Sequence, residues 1–571
     1  MENHYQKIVK DTDSRVAYSL ERQELRAEHP FYGGFYDADE LVHAKYAIYR
    51  VAAMMAAYCC ADSSYYRAQR VEQAIFLGLA YIRRVQHENG LFDYITCNFF
   101  SAPDTAFCIK KLIPFYEFLQ KKADKTAPEE RMRTELEQII RKGAHGLLEG
   151  GFHTPNHRWA IASMLAKTGV LFGEEQLTQA ALAYLQEGID CNADGEFSEK
   201  SAGNYNRINN DAMITLAEAL GDDSYEQYAI RNLHMMLTYL EPDGSIFTAN
   251  STRFDKDRLI YPKDYYMEYL KLGKKYGIKE FLGMCNTIFD IVEEKQITAP
   301  DFLIWFLLEP EYRSFEWEER YEPEDFCKHY PQSGIVRARK GGFTYTVMRD
   351  KSDFLYVHNG SMKLMMKVAG SFCEHRAFKA EELMAEHCYG RSVVASGQGA
   401  ANIETRTKRM QPPEIQLRQT MRGWYYLPFP EKPESSDWWQ MDHSRRPRKT
   451  GPDMEITVKI EEQEHGLAVT VRTAGVSGAP WRIETAFAGI EELATEQEKV
   501  SVTGEERLVV AQGEVQAGNE RNIIRIGPGF AKHRFIDGKE DSEAKQPGCA
   551  TVYFTDYTEF EHTILITTER K

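Results

Sequence analysis

Residues 194–213 read DGEFSEKSAGNYNRINNDAM: a glycine turn closed by Phe197, a polar run, then the first residues of an apolar helix. Glycine permits a positive φ there and the phenylalanine staples the loop to a core. The same theme stands at YGGF with Gly34, NGLF with Gly90, EGGF with Gly150 and DGSIF with Gly244, and with Gly195 the successive spacings are 56, 60, 45 and 49 residues. A period of that size is one antiparallel helix pair plus its loops.

The segments between these turns have helical periodicity, as in LVHAKYAIYRVAAMMAAYCC (41–60), RVEQAIFLGLAYIRRV (70–85), RWAIASMLAKTGVLF (158–172), LTQAALAYLQEGI (177–189) and YEQYAIRNLHMMLTYL (225–240). Repeated helical hairpins whose loops share one theme predict an N-terminal α/α toroid with those loops gathered on one face. After FEWEERYEPEDFCKHYPQSG the period becomes two: GGFTYTVMRDKSDFLYVH (341–358) alternates Phe343, Tyr345 and Val347, and MEITVKI, GLAVTVRTAG, NIIRIG, ATVYFTDY and HTILITTER continue in that style. The expected architecture is α+β multidomain, with a toroid over 1–325 and an antiparallel β-sandwich over 326–571.

At 571 residues the chain exceeds one ordinary core. Its net charge of −16 argues against general nucleic-acid or anionic-membrane binding, both of which need a basic field. An anionic ligand must therefore meet a local basic pocket. The first twenty residues, MENHYQKIVKDTDSRVAYSL, lack a continuous apolar core, so a cytoplasmic location is expected, or a secreted one if a leader has been removed. The ten cysteines include no Cys-x-x-Cys pair, and Cys59 and Cys60 are adjacent on an apolar helix; they read as reduced core residues rather than disulfides or zinc ligands.

Candidate chemistry gathers in the loops. In TPNHRW (154–159), Thr154 and Pro155 are helix-entry residues, and Asn156, His157, Arg158 and Trp159 stand where free N–H groups favour an anion. One hairpin later come Asn204, Tyr205, Arg207 and Asn210; the fifth loop adds Asn250 and Arg253. Asp104 in NFFSAPDTAF reads first as a helix cap. The basic HSRRPRKTG reads first as a solvated loop, and Trp438 and Trp439 as a stacking surface or a core element.

NHRWAIASMLAKTGVLF, DGEFSEKSAGNYNRINNDAM and YLEPDGSIFTANSTRFD together resemble the heparinase II/III-like polysaccharide lyases, in which an α/α toroid precedes an antiparallel β-sandwich. The resemblance places the helix-start asparagine or histidine of that family on Asn156 and His157, and its tyrosine on Tyr205. The spacing Asp194-Gly195, Glu199, Ser201, Tyr205 carries one residue more than the family pattern. The family's histidine-glycine-histidine run is missing from the β half, which offers His358, the stronger candidate through its neighbouring Asn359-Gly360 turn, and His375.

The implied reaction is β-elimination in a uronic acid-containing poly- or oligosaccharide, with no metal or cofactor. Asn156 and His157 would hold the substrate carboxylate as charge builds on it. Tyr205 would act as base, acid or both, its phenolate favoured by a cation such as Arg207. His358 would join them. Arg158, Trp159, Asn204, Arg207, Asn210, Asn250, Arg253 and His375 would contact the sugar. Two other readings are a toroid glycoside hydrolase using a carboxylate pair such as Asp104 and Asp211, and a glycan-binding protein without turnover.

Overall fold

The computed structural model describes residues 2–96, 98–150, 154–314, 317, 319–372, 377–389, 391–394, 403–406, 412–496, 499–537 and 546–571. It divides into two compact units, Met1–Leu237 with Ile246–Glu322, and Thr238–Ser245 with Pro323–Lys571. No described helix is long and apolar enough to cross a membrane.

Thirteen α-helices occur among the described residues: α1 (Glu2–Glu21), α2 (Ala44–Cys59), α3 (Gln69–Val85), α4 (Ala102–Lys121), α5 (Ala127–Gly146), α6 (Pro155–Phe172), α7 (Glu175–Leu185), α8 (Tyr205–Leu220), α9 (Glu226–Thr238), α10 (Tyr266–Tyr276), α11 (Lys279–Glu294), α12 (Leu303–Leu308) and α13 (Glu311–Ser314). The sequence sorts them into two layers. Alanine-rich α2 is buried at most of its positions and α6 at eleven, whereas α7 buries only Leu177 and Ala181. A helix apolar on nearly every side belongs inside, and one with a narrow stripe belongs outside. Accordingly α2, α4, α6, α8 and α10 pack in series, and α3, α5, α7 and α11 back onto α2, α4, α6 and α10. Helix α9 joins α8 through Asn210, whose amide donates to Asn232 Oδ1 at 2.8 Å. Helix α1 packs on α2 and α12 and stacks His4 on Phe289 of α11 at 3.9 Å, linking the ends of the series. This is the expected toroid.

The glycine theme is one recurring device. Gly90 has φ +90° and a Cβ there would lie 1.9 Å from Lys142 O of α5; at Gly195, with φ +97°, it would lie 2.5 Å from Arg231 O of α9. Only glycine gives both the left-handed backbone and this close approach. Side-chain amides lock the contact: Gln86 donates to Gly90 O and Ile139 O, and Asn232 to Gly195 O. In the first copy Gln23 donates to Gly33 O and Ala74 O, and it is Gly33 that has φ +87°. The repeating residue is therefore Gly33 rather than Gly34, standing two positions before its phenylalanine as Gly90 and Gly195 do, while Gly244 stands three before Phe247. Phe35, Phe92, Phe197 and Phe247 are all buried, as the staple requires.

In the second unit an eight-stranded sheet runs Arg507–Val509, Ala550–Tyr557, Pro480–Ala488, Met362–Gly370, Asp353–Asn359, Phe343–Met348, Ile335–Lys340 and Phe326–Tyr330, antiparallel except for its first pair. A nine-stranded sheet runs from Lys499–Ser501 at one edge to Glu382–Glu386 at the other. Val336, Tyr345 and Val357 of the first sheet share one core with Ile456, Val458 and Leu467 of the second, so the two form a β-sandwich. The segment 238–245 is tied to this unit by a buried ion pair: Arg337 donates to Glu241 Oε1 at 3.1 Å and to Thr238 O at 2.9 Å. Burial drives the Glu241 carboxyl upward, but Arg337 and His358 overcome that and hold it well below the ordinary range.

Candidate functional site

Helix α6 begins at Pro155, as the local signals predict, yet Thr154 provides no side-chain cap. The anion at this helix start is Glu199 from the following loop. Asn156 N–H donates to Glu199 Oε2 at 3.1 Å, and Asn156 Nδ2 lies 2.8 and 2.9 Å from Oε1 and Oε2. Both residues are buried. Burial raises the Glu199 carboxyl above its ordinary value, against the pull of Asn156 and Arg253.

Arg253 connects this pair to Tyr205. Its Nε lies 3.3 Å from Glu199 Oε1, and its guanidinium sits 5.1 Å from the centre of the Tyr205 ring. Phe254 meets the same ring edge-on at 5.8 Å. Tyr205 is the first residue of α8, its N–H donating to Ser201 Oγ at 3.1 Å. Buried Asp255 sets the loop, accepting from Ser201 Oγ at 2.8 Å and Gly203 N at 2.9 Å, while Thr252 donates to Glu199 O. The fourth and fifth loops are thus one hydrogen-bonded body, and Asn156, Glu199, Arg253 and Tyr205 are consecutive members of one chain of contacts.

His157 is half-buried, lies edge-on to Phe107, and senses the charges of Asp104, Arg253 and Lys45; burial lowers its imidazole below the ordinary histidine value, which keeps it neutral. Its Nδ1 is buried and makes no hydrogen bond among the described residues. Lys45, at the start of α2, pairs with Asp104 at 3.0 Å and faces the rings of Tyr94 and Phe107. Asp104 is not the cap of α4: Ser101 is, accepting from Asp104 N and donating to its carboxylate at 2.7 Å.

The other expected contacts are placed as follows. Arg158 pairs with Glu187 at 2.7 Å and stacks on Trp159, whose buried indole donates to Asp190 at 2.6 Å. Arg207 reaches Asn204 Oδ1 at 3.4 Å, so the cation over the Tyr205 ring is Arg253 instead. Asn210 spends its amide on Asn232, and Asn250 its amide on Glu196. His358 belongs to the second unit, buried with Nδ1 3.1 Å from Glu241. His375 lies outside the described residues.

The sequence reading passed over several residues here. Lys45 is a cation in the first turn of the largely apolar α2, a visible signal. Glu199 was visible as a family position but not as the partner of Asn156. The hairpin Phe92–Tyr94/Asn98–Ser101 exposes Phe99 and Phe100 by 72% and 56%. Phe100 holds φ +49°, fixed by its N–H on Asp93 at 2.7 Å and its ring on His87 at 4.1 Å. A left-handed, exposed aromatic residue is held there against local preference. Beside it is a cavity of about 270 Å³ lined by Asn98 to Pro103 and Gly150.

Among the described residues, no group of three His, Cys, Asp or Glu side chains could hold a metal ion. The sequence matches no protein-family model and no curated protein. In fold, solved structures do match. A mutant heparan sulfate lyase from Pedobacter heparinus is similar with a TM-score of 0.51 at 10% identity, over 98% of this chain and 83% of its own. A Paenibacillus xanthan lyase gives 0.54 at 9%, over 98% of this chain and 55% of the longer lyase chain. The Streptomyces coelicolor chondroitin AC lyase, solved with chondroitin sulphate, gives 0.50 at 11%, over 99% and 79%. The chain therefore has the toroid-and-sandwich fold of these polysaccharide lyases.

Proposed function

We propose that this protein is a lyase that cleaves a uronic acid-containing oligo- or polysaccharide by β-elimination. The observation that carries the proposal is the connected set Asn156, Glu199, Arg253 and Tyr205, which puts a phenol, a fixed cation and a buried amide at one loop cluster. The substrate carboxylate lies against Arg253 and neutral His157, with Asn156 fixing Glu199, the partner of Arg253. These donors stabilise the charge that builds when the proton on C5 leaves. Tyr205 removes that proton as its phenolate, the electron pair forms the C4–C5 double bond, and the C4–O4 bond breaks. The tyrosine hydroxyl then protonates the departing O4, which restores the phenolate.

The hydrolase alternative has less support. Asp104 is neutralised by Lys45, and Asp211 is paired with Lys110, which with Lys271 holds its carboxyl below the ordinary range despite burial. A general acid needs the opposite shift. A cytoplasmic location, with imported oligosaccharides as substrate, belongs to the same proposal and is checked by cell fractionation.

The test is incubation with a panel of acidic glycans while absorbance is followed near ~232 nm, where a conjugated unsaturated uronate absorbs by the elimination chemistry above. Tyr205→Phe should remove the signal while leaving binding in place. Full activity in that variant, or new reducing ends without the absorbance, would defeat the proposal.

A further inference from the structure

The second unit carries a two-stranded arm that outgrows its sheet. Strand Glu414–Tyr426 pairs with Glu382–Glu386 only over 414–418, and strand Arg448–Gln463 pairs with Gly466–Ala474 only from Glu455 onward. Beyond the buried pair Met421 and Met454 the two strands pair with no third strand among the described residues, continuing through Trp424 opposite Thr450 to Tyr426 opposite Arg448.

The arm is basic in an acidic chain: residues 422–449 hold six basic and four acidic side chains against a whole-chain charge of −16. Two of its arginines lie over aromatic rings. Arg448 lies 4.6 Å from Trp424 and 5.4 Å from Tyr426, and Arg446 lies 4.9 Å from Tyr426. Stacking fixes a guanidinium while leaving its N–H edge free to bond, and Arg446 uses only Nε, on Leu427 O at 2.8 Å. Among the described residues no carboxylate lies within ion-pair distance of Arg446, Arg448 or Lys449, whereas neighbouring Arg445 pairs with Glu431 at 3.4 Å. The loop that closes the arm exposes Trp438 and Trp439 by 63% and 79%, and His443 holds Trp438 with its ring at 4.0 Å and Nε2 2.8 Å from Trp438 O.

We propose that this arm is a second binding surface, for an acidic glycan chain. Arg446, Arg448 and Lys449 take carboxylate or sulfate groups, and Trp438 and Trp439 take the apolar faces of sugar rings. Fixed guanidinium forks suit bidentate anions, and bare indoles suit pyranose faces. A neutral glycan would leave three cations unused, and a simple acidic surface would leave two indoles unused. The class of glycan, though not the existence of the surface, rests on the lyase reading.

The full chain is applied to immobilised heparin and to immobilised dextran, then eluted with salt. Wild type should be retained on heparin alone. Arg446→Ala/Arg448→Ala should weaken binding by about tenfold or more and lower the eluting salt, because two charge-assisted contacts are lost. Arg446→Lys/Arg448→Lys keeps the charge without the fork and should fall between. Trp438→Ala/Trp439→Ala should weaken binding without flattening its salt dependence. All variants should keep the wild-type Tm, and their turnover of the shortest oligosaccharide that gives unsaturated product should be unchanged. Heparin retention without elimination from any substrate would sink the lyase reading and leave the arm standing. Passage of wild type through heparin, equal retention of all variants, or a dimer abolished by the tryptophan change would overturn the arm proposal.

Discussion

Asn156 and Glu199 hold one another: the buried amide and N–H at the start of α6 both donate to one carboxylate from the loop before α8, within 3.1 Å. Removing the carboxylate leaves two buried donors without an acceptor. Glu199→Ala should therefore cost about 1–3 kcal/mol of stability. Glu199→Gln, whose carbonyl still accepts, should cost less. Urea denaturation of the two variants measures both, and equal losses would show that shape rather than hydrogen bonding matters.

Arg253 is the cation shared by Glu199 and Tyr205. Since it is partly exposed, its ion pair adds little to stability. Arg253→Ala should shift stability by about 1 kcal/mol or less but lower kcat/KM on an acidic substrate by about tenfold or more. Arg253→Lys should recover part of the rate. A wild-type kcat/KM for the alanine variant would remove Arg253 from the site.

Glu268 on α10 is fully buried, with Oε2 making no hydrogen bond among the described residues. Burial, with Asp211 adding to it, pushes its carboxyl up to about 8 from an ordinary value of 4.5. The folded chain thus keeps a proton that the unfolded chain releases. Stability from this group is complete below about 4.5 and is lost as the pH rises to about 8. Glu268→Gln should make the chain more stable than wild type at the upper end of that window, by about 2–4 kcal/mol, with the difference vanishing at the lower end. Denaturation at both ends measures it, and a pH-independent difference would refute the assignment.

Gly90 has a left-handed backbone with Lys142 O where a Cβ would stand. Gly90→Ala should cost about 2–4 kcal/mol, from backbone strain and displacement of α5. Gly173→Ala is the control, with φ +67° but nothing within 4 Å of the added Cβ; it should cost only about 1 kcal/mol. Thermal unfolding ranks the two.

Phe99 is exposed and Phe100 is held in its strained backbone by Asp93 and His87. If the adjoining cavity accepts a sugar ring, Phe99→Ala should raise KM for longer substrates several-fold while changing kcat and Tm little. An unchanged KM at every chain length would leave the hairpin without a binding role.

Much of this molecule was legible in its sequence because period and turn chemistry are local. Alternation of helical and strand periods, with glycine and phenylalanine at recurring positions, determined an α/α toroid and a β-sandwich, and Pro155 starts a helix where local rules place one, whereas Tyr205 to Asp211, which read as loop, already belong to α8. What a side chain meets across the fold is not local. The anion at the start of α6 is Glu199, forty-three residues away in the chain; Arg253 rather than Arg207 reaches the Tyr205 ring, because Asp255 folds the fifth loop back on the fourth; and Arg158 and Trp159, which read as ligand contacts, are engaged by Glu187 and Asp190. Residue types and their spacing set which groups stand at each loop. Only tertiary packing decided which charge each one faces, because burial favours a partner for a polar group, and the partner comes from whichever loop the helices bring alongside.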